Sequence, residues 1–91
     1  MKFEVEVEKG LARVRYSGGR AIFLLYYDEE EVVVLSTSGG AVYDLKRERV
    51  PRPVKRIIHY IEKGDLRKAR EELIDLARRS LEKPLLEVLR T

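Results

Sequence analysis

Few side chains in this sequence have the types and spacing that catalysis or metal binding requires. His59 is the only histidine among 91 residues, and cysteine is absent. A lone histidine beside the apolar stripe of a helix is typical of a packed or surface residue, and one imidazole without thiolates matches no recognised metal-ligand spacing. The acidic run at residues 28–31 is interpreted as a solvated turn. We therefore expect no catalytic residue, no metal ion and no cofactor, and a protein that is not an enzyme.

A basic segment at residues 46–56 is the strongest chemical signal. It holds six Lys or Arg and a single acid, and Pro51 and Pro53 fix two φ angles at about −65°. An array held in this way loses less entropy on binding than a flexible tail. Because binding to nucleic acid is driven by neutralising phosphates and releasing counterions, we expect phosphate contacts from Lys46, Arg47, Arg49, Arg52, Lys55 and Arg56. The alternative is a solvated loop that leads into a helix.

Two tyrosines are candidates for stacking on unpaired bases. Tyr26 falls on the same predicted sheet face as Arg13 and Arg15, with Arg20 near it, and Tyr60 lies on a predicted helix beside the basic segment. Stacking on an aromatic ring contributes about 1–3 kcal/mol for any base, and guanidinium planes add to it. The alternative is that both tyrosines are ordinary core residues.

The sequence has no device for reading duplex DNA. It shows no helix-turn-helix pattern, zinc finger or basic zipper, and Asn and Gln, which read adenine in the major groove, are absent. Residues 1–45 carry five basic and eight acidic side chains, whereas residues 46–91 carry fourteen and eight. Such asymmetry indicates a polyanionic partner. Backbone charge and stacking would dominate its binding, which favours single strands.

The composition also predicts where the protein works. Charged residues form 38% of the chain, and dense Lys, Arg and Glu without Asn or Gln is typical of heat-adapted proteins. The amino terminus alternates rather than forming a signal peptide, and no apolar run reaches the roughly 20 residues of a membrane span. With no cysteine, we expect a soluble, cytoplasmic protein of a hyperthermophile that does not associate with a membrane.

Alternation with period two predicts strands in the first half of the chain. "FEVEVE" and "ARVRY" flank a two-residue turn at Lys9-Gly10, which sets Glu6 opposite Arg13 and Glu4 opposite Arg15. Turns at residues 17–19, 28–31 and 38–40 separate three further strands. The predicted strands cover about residues 2–9, 11–16, 20–27, 32–37 and 41–45.

Apolar residues at helical spacing predict helices in the second half. Gly64 ends the first helix, Asp65 caps the second, and Pro84 begins a short third one. They cover about residues 52–63, 65–80 and 84–90. An antiparallel sheet of four or five strands with two or three helices on one face is an α+β fold. The length indicates a single domain, with a strand-rich half at 1–45, a basic connector at 46–53 and a helical half at 54–91.

The sheet face opposite the helices is also predicted to be apolar. A solvated sheet face does not carry so many large apolar side chains, so we expect a partner or another copy of the chain to cover it. A one-residue error in the predicted register at a loop between strands would turn the side chains of the third to fifth strands to the opposite face. Both faces of the sheet would still be apolar. We expect a homo-oligomer, a dimer or tetramer, with the interface residues Ile22, Leu24, Val33, Leu35, Leu85, Leu86 and Leu89.

The strand-rich half containing "RAIFLLYYDEEEVVVLSTSGG", followed by a basic connector and amphipathic helices, resembles a known family. It is similar to the DNA-binding domain of the ThermoDBP-type single-stranded DNA-binding proteins of hyperthermophilic archaea. The resemblance covers most of the chain and rests on the order of elements and on composition. It implies an archaeal protein that binds single strands in a groove of apolar and basic residues, with self-association enclosing the strand. Whirly and Pur-type repeats share the strand-then-helix order and also bind single strands.

The sequence therefore supports two functions. The leading hypothesis is sequence-tolerant binding of single-stranded DNA, or of RNA as the second choice, by a homo-oligomer. The alternative is a protein–protein assembly subunit that docks through the apolar second sheet face and the Leu-rich last helix.

Overall fold

The computed structural model describes residues 2–90. Five strands precede three helices, which confirms the predicted α+β fold, and each boundary lies within two residues of its predicted position. The elements are β1 (Phe3–Glu8), β2 (Leu11–Tyr16), β3 (Ala21–Tyr27), β4 (Glu31–Ser36), β5 (Gly39–Asp44), α1 (Arg52–Lys63), α2 (Leu66–Glu82) and α3 (Leu85–Leu89).

The strands form one antiparallel sheet in the order β1-β2-β3-β4-β5. In the first hairpin Phe3 lies opposite Tyr16 and Glu6 opposite Arg13, as the sequence predicts. The alternation of valine and glutamate in β1 sets this register, because a shift by one residue would turn the glutamates towards the helices.

A β-bulge between β2 and β3 changes one predicted face. Val14 lies opposite Phe23, but the next residue, Arg15, lies opposite Ala21, so Ile22 is an extra residue in β3. Ile22 is only 3% exposed and belongs to the core. Its prediction as an oligomer-interface residue on the outer face is therefore wrong, because the extra residue breaks the strict alternation at that point.

The helices cover one face of the sheet. α2 packs against β1, β2 and β4, α3 packs against β5, and α1 packs against the other two helices. Apolar side chains from both layers are fully buried between them, which makes a two-layer core. The sheet contributes Ala12, Val14, Phe23, Leu25, Val32 and Val34, and the helices contribute Val54, Ile57, Leu73, Leu76 and Leu85 among others.

The turn between α1 and α2 combines two capping devices. α1 ends at Gly64, whose φ of 85° is in the left-handed region that favours glycine. Asp65 then caps α2, because its side chain accepts a hydrogen bond from the Lys68 backbone N–H at 3.3 Å. This turn reverses the chain and sets α1 beside α2. The connector directly precedes α1.

Candidate nucleic-acid interface and open sheet face

The connector folds into turns around Asp44 before α1 begins. Asp44 Oδ1 accepts a hydrogen bond from the Lys46 backbone N–H at 2.9 Å, and the Asp44 backbone N–H donates to Glu48 Oε1 at 3.1 Å. The Asp44 carbonyl oxygen accepts hydrogen bonds from the N–H groups of Arg47 and Glu48. Both local carboxylates are therefore engaged with backbone N–H groups.

Five basic side chains of this region form an exposed set, which we call the connector cations. All five residues are exposed. Within residues 2–90, no carboxylate oxygen lies within 4.0 Å of their charged groups. Their charges are therefore available to a polyanion. The connector cations are Lys46, Arg47, Arg49, Arg52 and Lys55.

Arg56, the sixth basic residue of the segment, is in a different environment. Its Nε lies 3.2 Å from Glu72 Oε1, so it forms a salt bridge between α1 and α2. A cation compensated by a carboxylate has less to gain from a phosphate, because the existing ion pair must be replaced. Because of this ion pair, Arg56 does not belong to the connector cations.

Two of the connector cations line a concavity together with a third arginine. Arg49 and Arg52 lie beside Arg90, and the hollow between them has a volume of about 460 Å³. Its apolar lining comes from Val50, Pro51 and Leu89. We call it the arginine concavity. No local pattern could have indicated Arg90, because it joins the site only through the packing of α3 beside the connector.

A smaller hollow of about 200 Å³ adjoins the arginine concavity, and the two share Arg49 and Val50. Lys55 contributes a second cation, and Leu45 and Ile58 contribute apolar surface. Glu48 also lines this hollow, and its Oε1 accepts the hydrogen bond from the Asp44 backbone N–H. Cationic edges with apolar lining are the combination that a single strand requires, because its phosphates and its unpaired bases are bound together.

Arg13 and Arg15, predicted to contact bases beside Tyr26 on the sheet, are paired with glutamates. Arg13 donates a hydrogen bond to Glu6, and Arg15 Nη2 lies 3.7 Å from Glu4 and 3.8 Å from Glu6. The hydrogen bond from Arg13 is the largest of the effects that lower the pKa of Glu6. The third predicted arginine, Arg20, is exposed in the β2–β3 loop.

The two candidate stacking residues differ in their availability. Tyr26 is 49% exposed on the uncovered sheet face, opposite Leu11 and Val33 on the neighbouring strands. Tyr60 is half-buried on α1, packs against the core, and has Lys68 Nζ 5.7 Å from its ring centroid. The ring of Tyr60 is therefore already engaged by a cation, and Tyr26 is the more accessible of the two.

The helices leave one face of the sheet uncovered, which we call the open face. It carries a contiguous apolar patch. Across β2 to β5, Leu11, Tyr26, Val33 and Val42 form one row, and Leu24 and Leu35 lie in the next. Tyr26, Leu35 and Val42 are 49%, 45% and 59% exposed. We call these six residues the open-face patch.

The shape of the open face is set in part by glycine. Gly40 lies opposite Leu35, and a Cβ on Gly40 would come within 2.8 Å of Leu35 Cδ2. Leu35 therefore lies over the position where another residue would have a side chain. Beside it, a hollow of about 410 Å³ lies between β3 and β4, lined among others by Leu24, Leu35 and Thr37.

The predicted interface residues fall into two groups. Leu24, Val33 and Leu35 lie on the open face as predicted. Leu85 and Leu89 are only 0% and 3% exposed, because α3 directs them into the chain's own core. Their prediction as interface residues is wrong for that physical reason. Their neighbour Leu86 is 57% exposed on the outer side of the same helix.

Other candidate chemistry is explained by local structure. Asp28 Oδ1 accepts hydrogen bonds from the N–H groups of Glu30 and Glu31, and these bonds lower the pKa of Asp28. The acidic run thus forms the β3–β4 turn, and His59 is exposed on α1. Within residues 2–90 no group of three or more His, Cys, Asp or Glu could hold a metal ion. None of the helices in that range has the length and apolar character to cross a membrane.

Comparison with protein-family models, with curated proteins and with solved structures finds no match for this chain. The chemistry of the connector and of the open face is therefore what bears on function.

Proposed function

We propose that this chain is a non-enzymatic binding protein for single-stranded nucleic acid, which it holds through the phosphate backbone without reading sequence. The observation that carries the proposal is the set of connector cations, which are exposed and have no carboxylate partner within residues 2–90. Elsewhere on the chain Arg13, Arg15 and Arg56 are paired with glutamates. Phosphates would gain most by binding where the cations are unpaired.

The lining of the two hollows supports single strands over duplexes. Val50 and Pro51 line the arginine concavity, and Leu45 and Ile58 line its neighbour. Apolar side chains gain little from a duplex, whose bases are stacked inside, whereas the unpaired bases of a single strand can pack against them. The volume of about 460 Å³ lies in the range of pockets that hold small organic groups, roughly 300–1,000 Å³.

The test is fluorescence anisotropy with a labelled oligo-dT over a range of salt concentrations. The variant Arg49→Glu/Arg52→Glu should weaken binding at least about tenfold, since it turns two attractions to phosphate into repulsions. The slope of log K against log salt should become shallower by about 0.7 for each phosphate that the variant no longer neutralises. A duplex of the same length should bind more weakly than the single strand.

The matched control is Arg67→Glu/Arg70→Glu. It makes the same change of net charge on exposed arginines of α2, which also have no ion-pair partner within residues 2–90. Binding that falls only in the connector variant supports the proposal. Equal losses of affinity in both variants would mean that binding depends on the net charge of the protein and not on the connector. The proposal would be refuted if micromolar wild-type protein left labelled oligo-dT unbound at low salt.

The open-face patch favours a second candidate function, that of a protein–protein assembly subunit. Three of its side chains are 45–59% exposed although they are large and apolar, and such contiguous patches mark interaction surfaces. On the helical side, Leu86 is the one exposed leucine of the predicted docking helix, so this function rests on the open face. A charge reversal at Arg49 and Arg52 leaves that face unchanged and would spare assembly.

A further inference from the structure

The open-face patch is the least explained part of the molecule, because no helix or loop covers it. In an antiparallel sheet with one solvated face, that face is normally polar. Here β2 to β5 place six apolar side chains in two adjacent rows on the solvent side. Leaving them in water forfeits about 25 cal/mol for each Å² of apolar surface that a partner could bury.

The charges of the open face argue against a polyanion as its occupant. By register and alternation the face carries the acids Glu4, Glu6, Glu8, Glu31 and Asp44 against the two arginines Arg13 and Arg15. Both arginines are paired with glutamates. A surface with more acids than bases, and with its bases compensated, repels phosphate. This sets the open face apart from the connector.

The distribution of those charges suits an apolar protein surface. The glutamates and arginines lie on β1 and β2, to one side of the patch, and Glu31 and Asp44 lie at one end of it. The patch itself contains no charged residue. An apolar centre with a polar rim is the usual anatomy of a protein interface.

The dimensions of the face agree with what a stable dimer needs. Strands about 4.8 Å apart that rise about 3.3 Å per residue give five strands of six residues a face of roughly 24 by 20 Å. Two such faces together bury on the order of 1,000 Å², which is the lower limit for a specific interface. The hollow of about 410 Å³ beside Leu24 and Leu35 gives protruding side chains of the partner a place to insert.

We propose that the open face packs against the open face of a second copy of this chain, which makes a symmetric homodimer with the layer order helix, sheet, sheet, helix. A twofold contact of this kind is self-complementary, so that each patch covers the other. The sheets lie about 10 Å apart, as in a β-sandwich. None of the connector cations belongs to the open-face patch, so this inference does not depend on nucleic-acid binding.

The test is the molecular mass of the nucleic acid-free protein, measured by size-exclusion chromatography with light scattering from micromolar to submillimolar concentration. The wild type is expected at twice the chain mass of 10.6 kDa. Val42→Glu should give monomers, because Val42 is 59% exposed within the patch and a buried carboxylate there would be unpaired. Circular dichroism of the variant should show an unchanged fold, since a side chain this exposed does not support the core.

The matched control is Leu86→Glu, the same kind of change at a residue that is 57% exposed on the helical side. It should remain dimeric, and so should Arg49→Glu/Arg52→Glu. A wild type that stays monomeric over the whole concentration range would overturn the inference and assign the patch to a different partner. Dimers that Leu86→Glu dissociates and Val42→Glu does not would also overturn it, because the contact would then lie on the helices.

Discussion

Arg13 on β2 donates a hydrogen bond to Glu6, its direct cross-strand partner on β1. The same strand pair places Arg15 between Glu4 and Glu6, at 3.7 and 3.8 Å. The first hairpin therefore compensates its own positive charge, whereas the connector cations find no carboxylate partner within residues 2–90. Arginines of this chain thus differ in what they can offer a ligand.

The first prediction concerns this difference. Arg13→Met/Arg15→Met should change the affinity for oligo-dT by less than about threefold, because each removed charge already has a glutamate partner with which a phosphate would have to compete. Arg49→Met/Arg52→Met, which removes the same number of charges, should weaken binding at least about tenfold. Anisotropy titrations at one salt concentration compare the two. A loss of affinity as large for the sheet pair as for the connector pair would show that the strand does bind on the sheet.

The second prediction concerns stability at alkaline pH. The Tyr27 hydroxyl donates a hydrogen bond to Glu62 Oε2 at 2.7 Å and ties the end of β3 to α1. Burial, and then this hydrogen bond, raise the pKa of Tyr27 from 10.0 to about 12. Between these two values the unfolded chain has lost the proton that the folded chain retains. The free energy of unfolding therefore falls as pH rises through this window.

Tyr27→Phe should consequently flatten the decline of the melting temperature between pH 10 and about 12. Some decline remains in the variant, because burial also raises the pKa of Tyr43. Thermal melts followed by circular dichroism at several pH values measure it, with Tyr26→Phe on the open face as the control. Identical slopes for the wild type and Tyr27→Phe would contradict the assignment.

The third prediction separates two adjacent leucines of α3. Leu85→Ala should lower the free energy of unfolding by about 2–5 kcal/mol, because Leu85 is fully buried and truncation leaves a cavity. Leu86→Ala should stay within about 0.5 kcal/mol, since Leu86 is 57% exposed. Urea denaturation of both variants tests this. Equal losses of stability in the two variants would contradict the orientation of α3 that buries Leu85 and exposes Leu86.

The sequence predicts the order and the ends of the elements because each is encoded locally. The valine–glutamate alternation sets the β1–β2 register, and Gly64 with Asp65 sets the α1–α2 turn. These signals involve residues close together in the chain, and the structure confirms them.

Predictions failed where apolar residues leave the pattern ambiguous. In "AIFLLYY" both alternating faces are apolar, so nothing in β3 reveals the bulge that turns Ile22 into the core. In "PLLEVL" the helix is too short for its periodicity to distinguish the buried Leu85 from the exposed Leu86. For Arg90 no signal exists at all, because only the tertiary packing of α3 brings it to Arg49 and Arg52.

For the arginines of β2, the sequence already contains a signal that bears on their availability. The predicted register already placed Arg13 opposite Glu6 and Arg15 opposite Glu4, and the structure confirms it. Both arginines are nevertheless among the residues predicted to contact bases beside Tyr26. Pairing between exposed side chains follows from the register alone, so this outcome was predictable.

The simple order of the sheet has a kinetic consequence. Because strands that pair in the sheet are always consecutive along the chain, each hairpin closes only a short loop, and the entropy lost in closing a loop grows with its length. The hairpins can therefore assemble one after another on the microsecond scale of isolated hairpins, roughly 1–10 μs each. The longest closure is the docking of α2 onto β1, and that step should limit the rate at which newly made chains become resistant to proteases.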